Sequence, residues 1–141
     1  MANSPTGAQN SVCPVTFALS VFGDRWTLLI LRGIMLDGHH SYKALLAEND
    51  GLATNILSDR LKHLESRGLI ARERDPKDAR QYIYRATELA ISTIPMLVEI
   101  MIWGSRHGQG KVSRSLSQRF KKDRQGLIDE LTARAMRYAK L

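Results

Sequence analysis

In the middle of this chain, four features follow one another without a gap. A short amphipathic helix over residues 42–47 is followed by a tight Asp50-Gly51 turn, a second helix ended by Gly68, and then a basic hairpin. Glycine enters a left-handed turn without a steric penalty, so the two glycines mark where the helix–helix corner closes and where the second helix stops. The order reads as a helix-turn-helix with a two-stranded wing attached, an α+β class that is mainly α.

The second helix of the pair is expected to start near Ala53 or Thr54. On a helical wheel Leu57, Leu61 and Leu64 gather on one side, and Asn55, Ser58, Asp59 and Lys62 on the other. That polar face begins with short side chains, which lets a helix lie deep in a major groove. Asn suits adenine, Lys reaches guanine and Asp accepts from cytosine, so these four are expected at base edges, with Asn55 and Ser58 foremost. Thr54 is expected to meet phosphate through its hydroxyl or backbone N–H.

Residues 69–74 and 81–86 read as strands joined by Asp75-Pro76-Lys77-Asp78-Ala79-Arg80, which has turn chemistry. Tyr82, Tyr84 and Ala86 are expected on the buried face, and Gln81, Ile83 and Arg85 on the other. Arg72, Arg74, Lys77 and Arg80 would meet phosphates or enter the minor groove, giving affinity and salt dependence rather than sequence choice. Any one charged hairpin or helix face is usually just solvated. The combination of helix, turn, helix and basic wing carries the reading.

Around this unit, Pro14 suits the first turn of a helix to about Phe22, with Val15, Ala18, Leu19 and Phe22 on one face. Gly23 is expected to end it in a left-handed conformation, and Asp24 to cap the next helix, which carries Trp26, Leu29, Ile30 and Ile34 and stops near Asp37-Gly38. Ser41 is the expected N-cap of the third helix, which presents Leu45 and Leu46. Thr87 can cap a fifth helix with two apolar stripes. Ile91, Ile94, Leu97, Val98, Met101 and Ile102 form one; Met96, Ile100 and Trp103 form the other. A helix apolar on two sides must bury both, so a second subunit is expected on one of them. Pro95 should kink this helix or stand near its start, and Gly104 with Gly108-Gln109-Gly110 should break it. The tail from Lys111 holds nine basic and three acidic residues and reads as an amphipathic basic helix carrying Leu116, Phe120, Leu127, Leu131 and Ala135.

The division expected is a flexible leader over 1–11, a DNA-binding and dimerisation domain over 12–108 and the basic helix over 109–141. Lys and Arg outnumber Asp and Glu by 21 to 14, which favours a polyanionic partner. No apolar run approaches the roughly 20 residues of a membrane span, and residues 1–10 lack the order of a signal peptide. A single cysteine, Cys13, excludes an internal disulfide framework and fits a reducing cytoplasm. His39, His40, His63 and His107 lack metal-ligand spacing. Phosphate loops, nucleophile elbows and paired carboxylates are missing, so no metal, no cofactor and no enzyme is expected.

Several runs also resemble one family. Cys13-Pro14-Val15, Leu19 and Gly23-Asp24-Arg25-Trp26 are similar to the opening signature of HxlR-type transcriptional regulators. Leu57-Ser58-Asp59-Arg60-Leu61-Lys62-His63-Leu64-Glu65 with Gly68-Leu69-Ile70 resembles their recognition helix, and Tyr84, Thr87 and Trp103-Gly104 continue the pattern. The resemblance spans about residues 12–105. It implies a cytoplasmic prokaryotic regulator, a homodimer whose first and late helices make the subunit contact, with Val15, Leu19, Phe22, Met96, Ile100 and Trp103 as its residues. His40-Ser41-Tyr42 departs from a common Arg-aromatic pair, Glu88-Leu89-Ala90 from a Glu-Lys-Gly run, and the basic tail is not a general family feature.

Some members of that family resemble sensors of oxidants or electrophiles acting through a cysteine at the place of Cys13. The helix that starts at Pro14 would favour a thiolate there. The alternative is a small residue packed beneath the dimer interface. The expected function is a dimeric, sequence-specific regulator of transcription, a repressor on an inverted repeat, with Cys13 as candidate redox sensor. A ligand-responsive protein with a pocket between the first, second and fifth helices, a non-specific architectural DNA binder, and a protein-docking winged helix stay open beside it.

Overall fold

The computed structural model describes residues 13–140, so the expected leader lies outside the described residues. Among these, the elements in chain order are α1 (Pro14–Phe22), α2 (Thr27–Leu36), α3 (Tyr42–Glu48), α4 (Thr54–Ser66), β1 (Ile70–Arg74), β2 (Tyr82–Ala86), α5 (Glu88–Ile91), α6 (Ile94–His107), α7 (Arg114–Lys122) and α8 (Arg124–Ala139). The mainly helical class with a two-stranded antiparallel wing is what the sequence led us to expect.

The helix-turn-helix forms for local reasons. Ser41 caps α3 by accepting from the Ala44 amide at 3.1 Å, the bond that satisfies an orphan donor of the first turn. Buried Asn49 donates back to the Leu45 carbonyl at 2.8 Å, and Gly51 takes φ +80° to close the corner. At the end of α4, Gly68 takes φ +73°. The Leu69 amide then reaches the Leu64 carbonyl and the Gly68 amide the Glu65 carbonyl, both at 3.0 Å. This crossed pair satisfies the last carbonyls of the helix and turns the chain directly into β1.

The core is centred on α2, where Ile30, Leu31, Ile34 and Met35 are fully buried together with Leu45, Leu57, Leu64, Ile94 and Val98. The sequence reading placed only one stripe of α2 inward and left out Leu31, Met35 and Leu36. Helices cover α2 on several sides, including α8, whose Leu127, Leu131, Ala135 and Ala139 are buried.

Four local expectations are corrected. Gly23 is right-handed (φ −77°), and what it supplies is room, because a Cβ there would collide with the Leu19 carbonyl oxygen. The long fifth helix is two. Pro95 has no N–H to donate to the preceding turn, so the ladder breaks at Ser92-Thr93, whose hydroxyls turn back to the Leu89 and Ala90 carbonyls. The break falls before Pro95, which stands in the first turn of α6 as the second of the two expectations had it, and α6 runs on through Gly104 to His107. The tail beyond Lys111 is likewise two helices, with Asp123 both ending α7 and accepting from the Gly126 amide to start α8.

Taken together, α5 and α6 have the length and mean hydropathy (1.3 over Glu88–His107) of a membrane span, which the sequence reading passed over. The segment is broken at Ser92-Thr93, and Ile94, Leu97, Val98 and Ile102 pack into the core while Leu89, Ile100 and Trp103 stay exposed.

Candidate nucleic-acid interface

Helix α4 presents its polar face outward. Thr54, Asn55, Asp59 and Lys62 are exposed and Ser58 is half-buried. Ala53 at its N-cap offers no side-chain acceptor, which leaves the first-turn amides of an exposed helix end open to a phosphate oxygen. Tyr42 of α3 fixes the angle between the two helices. Its hydroxyl donates to the Thr54 carbonyl at 2.8 Å and sits 3.2 Å from Ser58 Oγ. Ser58 is therefore already engaged, whereas Asn55 and Lys62 make no side-chain hydrogen bond among the described residues.

Asp59 is held differently from the expectation. Arg60 Nη2 lies 2.6 Å and Arg60 Nε 3.1 Å from Asp59 Oδ2. Its carboxylate pairs with a neighbouring cation and stays 65% exposed on the outward face. The same Arg60 reaches Asp24 Oδ1 at 3.2 Å. Asp24 accepts from the Trp26 and Thr27 amides at 2.9 and 3.0 Å and from the buried Thr27 hydroxyl. Burial pushes the Asp24 carboxyl upward, but the Thr27 hydroxyl, the two amides and the Arg60 charge outweigh it and hold the group below its usual range. The expected capping role of Asp24 is met by its bonds to the Trp26 and Thr27 amides, whereas Arg60 and its tie to Asp24 were not foreseen. His63 adds a second tie, with Nε2 2.9 Å from the Val21 carbonyl oxygen.

The wing is registered with Arg74 opposite Tyr82, Arg72 opposite Tyr84 and Ile70 opposite Ala86. One face therefore carries buried Tyr84 and Ala86 at its base and a stack at its tip, where the Arg72 and Arg74 guanidinium carbons lie 4.4 and 4.2 Å from the Tyr82 ring centroid. The Glu65–Arg72 ion pair (3.4 Å) ties Arg72 to α4, whereas Arg74 donates to the Ala79 carbonyl of the wing loop at 3.1 Å. Ser58, Lys62, Arg72 and Tyr84 line one cleft. Arg80 lines a second cleft with Lys43 of α3, a cation the sequence reading did not single out although it follows Tyr42 directly. Lys77 and Arg80 stand at the tip; Arg80 is 90% exposed and pairs with Asp78 at 3.0 Å.

The back of the wing is braced. The Tyr84 amide donates to the His40 carbonyl at 2.8 Å, beside an isolated bridge between Ser41 and Ile83. Arg85 pairs with Glu73 at 2.9 Å and donates to the Tyr138 carbonyl of α8 at 3.0 Å. The Tyr138 ring packs on Gly38, where a Cβ would come within 3.2 Å of it, and meets the His40 ring edge-on.

Away from this surface, Val15, Phe17 and Leu19 on α1 and Ile100 and Trp103 on α6 are exposed, Trp103 by 68%. Phe22 packs partly against the core, and Met96 is half-buried; Phe17 was not among the residues expected on this face. Cys13 is exposed at the start of α1, where the Thr16 and Val15 amides draw its thiol below the ordinary value.

The HxlR-like helix-turn-helix family model matches residues 21–112. The HTH-type transcriptional regulator YodB of Bacillus subtilis is 28% identical over 98 residues, covering 69% of this chain and 87% of that protein. Its reduced form superposes with a TM-score of 0.58 at 27% identity, over 71% of this chain and 99% of the other. PA1607, described as a candidate transcription factor, gives a TM-score of 0.66 at 29% identity over 77% of each chain. The redox regulator HypR in its oxidised form gives 0.60 at 25% identity, over 70% of this chain and all (100%) of that one. This chain belongs to the HxlR-like helix-turn-helix family and is a winged-helix transcriptional regulator.

Proposed function

We propose that this regulator works in the cytoplasm as a homodimeric repressor, reading an inverted-repeat operator with α4 and gripping the flanking phosphates with its wing. The observation that carries this reading is the juxtaposition of an outward polar face on α4 with a wing whose Arg72 is tied to α4 by Glu65 and stacks with Arg74 on Tyr82. Asn55 and Lys62 read bases, Thr54 and the open amides of the first turn hold phosphate, and Arg72, Arg74, Lys77 and Arg80 supply the salt-dependent affinity. Ser58 takes part through its contact with Tyr42, and Asp59 positions Arg60 rather than reading a base.

The subunit contact is made by the apolar residues left exposed on α1 and α6, with Val15, Phe17, Leu19, Ile100 and Trp103 at its centre. Exposed large apolar side chains in such a group mark an association surface. Phe22 and Met96 back it. Promoter occlusion then accounts for repression.

Cys13 is the sensor of this reading. It is exposed, and the amides of the helix start favour its thiolate, the nucleophilic form. The relatives YodB and HypR, the latter a redox regulator, favour this over a purely packing role. With one cysteine per chain, oxidation gives a disulfide between subunits or with a small thiol, and an electrophile gives an adduct.

Footprinting on the DNA upstream of its own gene tests the dimeric reading. Two protected half-sites centred about 34 Å apart, one helical turn, are expected. Protection of one isolated half-site, or uniform protection without boundaries, would refute it.

A further inference from the structure

Arg32 of α2 lies away from the DNA-facing surface, and nothing above uses it. Its Nε is buried without a hydrogen-bond partner among the described residues. The nearest carboxylate oxygen, Asp37 Oδ2, is 3.4 Å away and out of line for a hydrogen bond. A buried guanidinium donor left unmatched costs free energy, and folded proteins normally give such groups an acceptor.

This arginine stands on the wall of a cleft of about 550 Å³ between α2 and the layer made by α6, α7 and α8. Small-molecule sites occupy roughly 300–1,000 Å³ and combine apolar walls with a few placed polar groups. Here Leu36, Met101, Leu116 and Leu131 supply the apolar wall, and Met101 and Leu116 are only partly covered by the core. The other charges of the cleft face partners, and Asp37, which also lines it, stands beside Arg32 itself. Glu130 takes both Arg119 and Arg134, and Glu48 faces His39 at 3.6 Å. Arg32, its side chain 36% exposed, is the lining cation whose Nε keeps no hydrogen bond among the described residues.

We infer that this cleft binds a small amphipathic monocarboxylate. Its carboxylate meets the Arg32 guanidinium and its apolar body lies along Leu36, Met101, Leu116 and Leu131. The geometry of guanidinium and carboxylate favours a planar anion over a neutral or cationic head of the same size. Much of the site comes from α7 and α8, which lie beyond the family-matched stretch ending at residue 112. The cleft is therefore shared between the family-matched stretch, which supplies Arg32, Leu36 and Met101, and the C-terminal α7 and α8, and it does not depend on the DNA reading.

Methyl NMR titration of the whole chain tests this with three probes of one apolar body: hydrocinnamate, its alcohol and its amine. Hydrocinnamate is expected to shift the Met101, Leu116 and Leu131 methyl signals saturably, at least tenfold more tightly than the alcohol, with no saturable shift from the amine. Arg32→Gln is expected to weaken hydrocinnamate at least tenfold and leave the alcohol unchanged. The proposal is overturned by no saturation with hydrocinnamate in the millimolar range, by equal binding of the three probes, or by preference for the amine. Saturable shifts confined to another part of the molecule, or a folded Arg32→Gln that binds as the wild type does, overturn it equally. The three-probe comparison uses the wild-type chain, so it decides the matter even where the variant fails to fold.

Discussion

Arg60 on the recognition helix lies 3.2 Å from Asp24 at the junction of α1 and α2, joining two segments 36 residues apart in sequence. Asp24 also holds the first amides of α2. One carboxylate therefore holds the start of the central helix of the core and anchors α4, the helix proposed to read DNA. The orientation of α4 is a property of the core rather than of α3 and the turn alone.

Loss of that carboxylate should cost stability. For Asp24→Ala, where amide acceptors at a helix start are removed, about 0.5–2 kcal/mol is expected from urea melts. Because the folded-state pKa of Asp24 is lowered, its contribution is fully present above the unfolded carboxylate value of about 3.9 and lost as pH falls through the lower folded value. The stability gap between wild type and Asp24→Asn should therefore be constant near neutrality and close on acidification below about pH 4. A gap independent of pH down to acid unfolding would contradict the role given to Asp24.

Substitutions on α4 and the wing should fail in different ways. Lys62→Ala or Asn55→Ala should cost about 1–3 kcal/mol on the operator and relax the choice of base at one position. Lys77→Ala should weaken all duplexes alike and reduce the slope of log affinity against log salt by about 1. Fluorescence anisotropy across a salt series separates the two, and identical slopes for all three variants would count against the division of labour.

The exposed apolar residues of α1 and α6 make a prediction about assembly. Trp103→Glu should give a monomer in sedimentation velocity with its helical circular dichroism intact, since Trp103 is 68% exposed and contributes little to the core. A dimer that survives Trp103→Glu and Leu19→Glu together would place the contact elsewhere.

Cys13 should behave as an acidic thiol. Its lowered pKa raises the thiolate fraction at neutral pH, so alkylation by iodoacetamide should show an inflection below the ordinary value of about 8.5. Diamide should lower operator affinity of the wild type and leave Cys13→Ser unchanged. Equal responses of the two proteins would remove the sensor from the account.

Much of this architecture could be read from the chain because its signals are local. Ser41, Gly51 and Gly68 act on the backbone within a few residues of themselves, and the alternation over Tyr82, Tyr84 and Ala86 sets the faces of the wing. The order of helix, turn, helix and basic hairpin pointed to the fold class, and the family motifs agreed with it. Gly23 was misread because glycine serves equally for a positive φ and for a close approach, and sequence does not distinguish them. The near-helical spacing of Leu116, Phe120, Leu127, Leu131 and Ala135 runs across Asp123, so it does not report the break at which α7 ends and α8 starts. In α8, Leu127, Leu131 and Ala135 pack against the core. The Arg60–Asp24 tie, the Tyr42 contact with Ser58 and the cleft around Arg32 depend on residues brought together only by folding, and no spacing rule reports them.

Anisotropy of the reduced protein on its own upstream DNA, beside a scrambled duplex at the same salt, tests the central claim most directly. The account predicts selectivity of about a thousandfold or more. Equal affinity for the two duplexes, or binding to neither, would contradict it.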